Sequence, residues 1–170
     1  MGNTGRLPLD AAMDRRLVEY RNGVAAALKL VRSPSFLAPL LDAPQERFAL
    51  RNGRTGDTVA THIEPAFDSA RRRRGLLGRT TIDRDTAMIL APCAGVHTFL
   101  MRFPIDVIFV GRDGTIGKIC RSLKPSRIAI AWGAFAAIEL MDGKAAGLNR
   151  CDSLVVDRVI DDECQDSSAR

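Results

Sequence analysis

The chain has 170 residues, 46% of them hydrophobic and 26% charged, with a formal net charge of +5. Those proportions are those of a globular chain, and they exclude wholesale disorder, collagen-like repetition and a disulfide-scaffold architecture. A chain of this length holds one domain plus an appendage, and no apolar run approaches the roughly 18 residues of a membrane span.

In chain order, the opening residues 1–6 lack the apolar stretch of a secretory signal, and Arg6 stands where a myristoylation signal wants Ser or Thr. A cytoplasmic address is expected. Met13, Leu17, Tyr20, Val24, Ala27 and Val31 recur at spacings of four and three, which predicts an amphipathic helix over residues 10–32, interrupted at Asn22-Gly23. Such a helix either lies on the main domain or docks a partner. Pro34, Pro39 and Pro44 then break regular structure, so residues 1–46 read as a helix and a proline-rich linker.

From Arg47 the pattern turns to short strands. Asn52-Gly53 and Gly56-Asp57 carry the turn chemistry of a hairpin between strands at 48–51 and 58–63. Asp68 or Ser69 caps a short helix reaching Leu77 and ended by Gly78. Further strands are predicted at 87–90, 96–99, 105–110, 115–121, 128–131, 134–140 and 154–159, with Asp113-Gly114 closing the tightest hairpin. The expected fold is mainly β (α+β): a compact antiparallel β-barrel or sandwich with short helices over residues 47–160, preceded by the N-terminal amphipathic helix. Residues 161–170 form an acidic tail.

The charge is uneven. Residues 47–84 carry nine basic against four acidic residues, and Arg71 to Arg74 supply most of that excess. A run of four arginines reads as a solvated helix face. With 5% aromatic residues the chain is also poor in stacking rings, so nucleic acid is not the expected partner.

Chemistry concentrates between Pro92 and Asp106. Asp106 interrupts a strand that is otherwise apolar, and a buried carboxylate requires a donor. Arg102 and His97 are the local candidates, with Thr98 or backbone amides behind them. One reading makes Asp106 a structural hydrogen-bond hub paired with Arg102. The other makes His97, Arg102 and Asp106 the polar floor of a ligand pocket walled by Phe99, Met101 and Phe103, suited to a small anionic ligand or to a protein partner. Cys93 with His97 raises two further ideas, a thiol nucleophile with its base and a pair of zinc ligands. The four cysteines have no CxxC spacing, so reduced thiols, no metal and no cofactor are expected.

Arg74-Gly75-Leu76-Leu77-Gly78-Arg79, Pro92-Cys93, Val96-His97-Thr98-Phe99, Met101 to Val107, Ile138-Glu139-Leu140 and Asp152 together resemble the bacterial and archaeal family known as domain of unknown function 192, over residues 48–160. The resemblance implies a small, mainly β domain and no established activity. Leu100 departs from the family's usual Gly or Trp, and Cys151 stands before Asp152 where Gly is usual, at a turn that favours positive φ. The function expected is a non-enzymatic ligand- or partner-binding module. The alternatives are a hydrolase or transferase using His97 and Asp106 with Cys93 as nucleophile, and an assembly adaptor docking through the N-terminal helix.

Overall fold

The computed structural model describes residues 35–159. The predicted helix over 10–32 and the acidic tail lie outside those residues. Among the described residues, ten strands and two short helices follow one another: α1 (Ala38–Asp42), β1 (Phe48–Asn52), β2 (Thr58–Ala60), β3 (His62–Ala66), α2 (Ser69–Arg74), β4 (Thr86–Leu90), β5 (Gly95–His97), β6 (Ile105–Val110), β7 (Ile116–Leu123), β8 (Ile128–Ile130), β9 (Ala136–Met141) and β10 (Leu154–Arg158).

The strands form a three-stranded sheet in the order β10-β1-β2, a five-stranded sheet in the order β3-β4-β9-β6-β7, and the two-stranded ribbon β5-β8. The protein is therefore mainly β, as its turn-punctuated sequence predicts, but the sheets do not close into a barrel. Nor is the five-stranded sheet wholly antiparallel, because β3 and β4 pair in parallel from His62 with Thr86 to Ala66 with Leu90. A parallel pair needs a crossover longer than a hairpin turn, and residues 67–85, with α2 among them, supply it.

β4 and β6 are buried at every position, and β9 at all but its last. Both faces of the central sheet are thus covered. Ile89, Ile108, Ile138 and Leu140 face one core, shared with Leu50, Val59 and Val156 of the three-stranded sheet. Met88, Leu90, Val107, Phe109 and Ala137 face the other, roofed by Leu76 and Ile82 of the crossover and by Val96, Met101 and Ala129 around the ribbon. Alternation along each strand divides the side chains between the two layers.

Two local details differ from the sequence reading. The stretch read as linker carries α1 and places Leu37, fully buried, in the first core, where Phe36 N donates to Arg112 O at 3.0 Å. Asp68 caps α2 by accepting from Arg71 N at 2.8 Å, and the helix ends at Gly75, whose φ is +47°, rather than at Gly78.

Candidate functional site

Asp106 is fully buried, and its Oδ1 and Oδ2 accept from Ser122 N and Ala145 N, each at 2.8 Å. The Ser122 amide is free to donate because the β6–β7 register slips between Ile105 and Val107, a bulge opposite Asp106 that leaves Ser122 at φ +49°. The expected ion pair with Arg102 is therefore corrected. Arg102 is exposed, and the donors are backbone amides. Alternation places Asp106 with Ile108 and Val110 in the first core.

His97 lies on the other side of the sheet. It is exposed at the end of β5 and stacks on Phe99, with ring centroids 5.2 Å apart and planes at 21°. Thr98, fully buried, donates from Oγ1 to Lys124 O at 2.7 Å and fastens the loop that follows. Of the residues read as one polar group, the structure brings His97, Met101 and Cys93 to a common cavity; Arg102, Asp106 and Phe99 are not among its lining, and Phe99 stacks on the ring of His97.

That cavity, about 420 Å³, lies between the C-terminal end of α2 and β5. Leu76, Leu77, Leu90, Val96 and Met101 give it apolar walls, and Arg72, Arg73 and Arg74 stand on one side. Arg72 is occupied, donating to the carbonyls of Phe67 and Ala91 and to Ser69 Oγ. Arg73 and Arg74 are exposed. Successive residues on a single helical turn point in different directions, which divides the run of four: Arg71 pairs with Asp68 at 3.3 Å, Arg72 is held by backbone carbonyls, and Arg73 and Arg74 stand exposed at the cavity.

Glu139 also lines this cavity. It sits on β9 between Met88 of β4 and Val107 of β6, and is 4% exposed. Among the described residues, its Oε2 is the one buried side-chain oxygen or nitrogen with no hydrogen-bond partner. A Cβ placed on Gly75 would lie 3.6 Å from that oxygen, so the carboxyl rests beneath the end of α2. Burial pushes it up to about 7 against the opposing pull of the Arg79 charge. Arg79 itself is held in a two-point pair with Glu64, at 3.1 and 2.5 Å. Near neutrality a large fraction of Glu139 is a neutral acid able to donate one hydrogen bond. Sequence reasoning missed it, although the signal was the one that singled out Asp106: a carboxylate inside an apolar strand.

Cys93 donates from Sγ to Gly95 O at 3.2 Å, and burial pushes its thiol up from the ordinary value. That is the reverse of the depression that activates a nucleophile. Among the described residues no group of three or more His, Cys, Asp or Glu is arranged to hold a metal ion.

A protein of unknown function from Novosphingobium aromaticivorans has a similar structure, with 26% identity and a TM-score of 0.56 over 64% of this chain and 82% of that one. A candidate transcription regulator from Sinorhizobium meliloti is similar at 25% identity and a TM-score of 0.56, covering 65% and 92%. A search of curated proteins gave no match. The family model of domain of unknown function 192, described as an uncharacterised ACR, matches residues 50–155, a span that holds most of both cores and all the residues lining the Glu139 cavity, and the chain belongs to that family.

Proposed function

We propose that the protein is a non-enzymatic binding module for a small organic anion, which enters the cavity between α2 and β5. One observation carries this reading: Glu139, whose Oε2 is buried and unpartnered, is part of the lining of a ligand-sized cavity whose side carries arginines. The anionic group meets Arg73 and Arg74, the apolar body lies along Leu90, Val96 and Met101, and a carbonyl or hydroxyl oxygen accepts from the protonated Glu139. His97 supplies a further polar contact at the edge. The binding reading is favoured over a catalytic one because His97 and Asp106 lie on opposite sides of the sheet and the Cys93 thiol is raised rather than activated. The described cysteines, Cys93, Cys120 and Cys151, are free thiols, which supports a reducing, cytoplasmic setting.

Thermal shift with a panel of short carboxylates and phosphate monoesters tests the proposal, since binding to the native state alone raises the melting temperature. A positive compound should bind more weakly above neutrality, where Glu139 loses its proton. It should lose most of its affinity in Glu139→Leu and in Arg73→Ser with Arg74→Ser, and keep it without the pH dependence in Glu139→Gln. A panel that leaves the melting temperature unmoved, or a compound indifferent to all three variants, would overturn the assignment.

A further inference from the structure

The β5–β8 ribbon turns one face to the core and the other outward. Its register pairs Gly95 with Ile130, Val96 with Ala129 and His97 with Ile128. Val96 and Ala129 are buried, so Ile128 and Ile130 lie together on the outer face, 61% and 43% exposed. Phe99 extends that face by stacking on His97. Beyond the two ends of the ribbon stand Leu100, 86% exposed, and Trp132, 92% exposed. Leu100 has φ +64°, a conformation rare for a bulky residue and one that persists where the surrounding structure imposes it. Isolated exposed apolar residues are ordinary, but a run of them on one ribbon marks an interaction surface.

The charge along the chain that carries β7 and β8 has one sign. No acidic residue occurs between Gly114 and Ile138, whereas Lys118, Lys124 and Arg127 are exposed there and Arg102 is exposed on the preceding loop. Lys118 Nζ donates to Ile130 O at 2.8 Å, which holds the ammonium at the border of the apolar strip.

We propose that this face docks the protein peripherally on an anionic lipid bilayer. Leu100, Ile128, Ile130 and Trp132 enter the interfacial layer, tryptophan being suited to that depth, while the lysines and arginines meet the lipid phosphates. Attachment is by a surface, since no helix among the described residues is long and apolar enough to cross a membrane. Three other occupants fit less well. Nucleic acid would gain little from aliphatic Leu100, Ile128 and Ile130, which cannot stack on bases. A second copy would set one basic rim against another. Residues 10–32 of this chain have an apolar stripe, but they carry five basic against three acidic residues and meet the same repulsion.

Trp132 is the sole tryptophan of the chain and therefore its own reporter. The full chain is mixed with vesicles of two parts phosphatidylcholine to one part phosphatidylserine, and separately with vesicles of phosphatidylcholine alone. Emission should shift to the blue and be quenched by acyl-chain bromine on the serine-containing vesicles, with far weaker change on the neutral ones. Leu100→Gly, which suits the positive φ, together with Ile128→Ser should abolish the shift while circular dichroism and melting temperature show a folded protein. Removing Lys118, Lys124 or Arg127 should lower partitioning roughly fivefold per charge, and added salt should act in the same direction. No blue shift on the anionic vesicles would overturn the proposal. So would a shift produced by single-stranded DNA in place of vesicles, by protein concentration alone, or by a vesicle-free emission that is already blue and turns red when residues 1–34 are deleted.

Discussion

Asp106 and Glu139 stand one register step apart on the paired strands β6 and β9, and they serve opposite faces of one sheet: Asp106 pairs with Leu140, Val107 with Glu139. Asp106 receives an amide proton on each oxygen, while Glu139 keeps one oxygen without a partner. Two carboxylates in similar apolar strands thus divide into a hub of the fold and a group facing a cavity. Burial alone does not separate them; the supply of donors does.

Glu139 should make stability fall as the pH rises. Its carboxyl is raised in the folded protein from 4.5 to about 7, so between those values the native state holds a proton that the unfolded chain has released. Stability therefore declines through that window, and the full penalty, on the order of 3 kcal/mol, is present above about pH 7. Glu139→Gln should remove the dependence and be the more stable protein in alkaline buffer. Urea unfolding of both proteins below and above the window checks this. Equal pH profiles would mean that Glu139 is solvated.

Asp106→Asn leaves one acceptor oxygen for two amides and turns an NH₂ toward the other. A loss of about 2 to 3 kcal/mol is expected, the cost of a buried donor without an acceptor. Arg102→Met should change stability by no more than about 0.5 kcal/mol, because the guanidinium is exposed. Denaturant titration of the two single variants is sufficient. Large losses in both would restore the ion pair.

Much of this architecture was legible in the sequence where local chemistry decides it. Asp113-Gly114 specifies the β6–β7 turn, Asp68 caps α2, and the alternation of short apolar runs marks most of the strands. What was hidden depends on contacts made across the chain. The parallel pairing of β3 with β4 is set by how residues 67–85 cross over the sheet, and those residues carry no helical period long enough to announce it. Three prolines made residues 33–46 look like a linker, yet Leu37 fills the core. Asp106 was recognised as needing donors, but a bulge in the neighbouring strand supplies them, and a bulge has no sequence signature here. Glu139 bore the same outward mark as Asp106; only the tertiary packing shows that its Oε2 is buried without a partner.

Leu37 tests where the folded unit begins. It is fully buried beside the three-stranded sheet, so Leu37→Ala should cost about 2 to 5 kcal/mol. A chain starting at residue 35 should fold, whereas one starting at residue 47 should be strongly destabilised. Matching melting temperatures for the two truncations would show that the core does not need α1.

Two positive-φ positions should respond with opposite signs. Cys151 holds φ +71° with a side chain, so Cys151→Gly should stabilise by roughly 1 kcal/mol while its amide still donates to Ile116 O. Gly114 has φ +85°, and a Cβ there would collide with the Leu154 carbonyl oxygen, so Gly114→Ala should be among the most damaging single changes in the turn. Thermal unfolding of the pair reads both effects. A destabilising Cys151→Gly would mean that the thiol packs usefully and outweighs the backbone strain.

Cys93 separates binding from covalent catalysis. Its thiol is half-buried, donates to the Gly95 carbonyl and is pushed up by burial, so the thiolate that would attack a substrate is scarce at neutral pH. Alkylation by iodoacetamide, followed site by site with mass spectrometry, should therefore be slower at Cys93 than at exposed Cys151 in the native protein, and should equalise in denaturant. Cys93→Ala should leave ligand-induced thermal shifts largely in place, because the cavity loses one small wall group and no charge. Native Cys93 reacting faster than Cys151 would indicate an activated thiolate, and the catalytic reading would then displace the binding one.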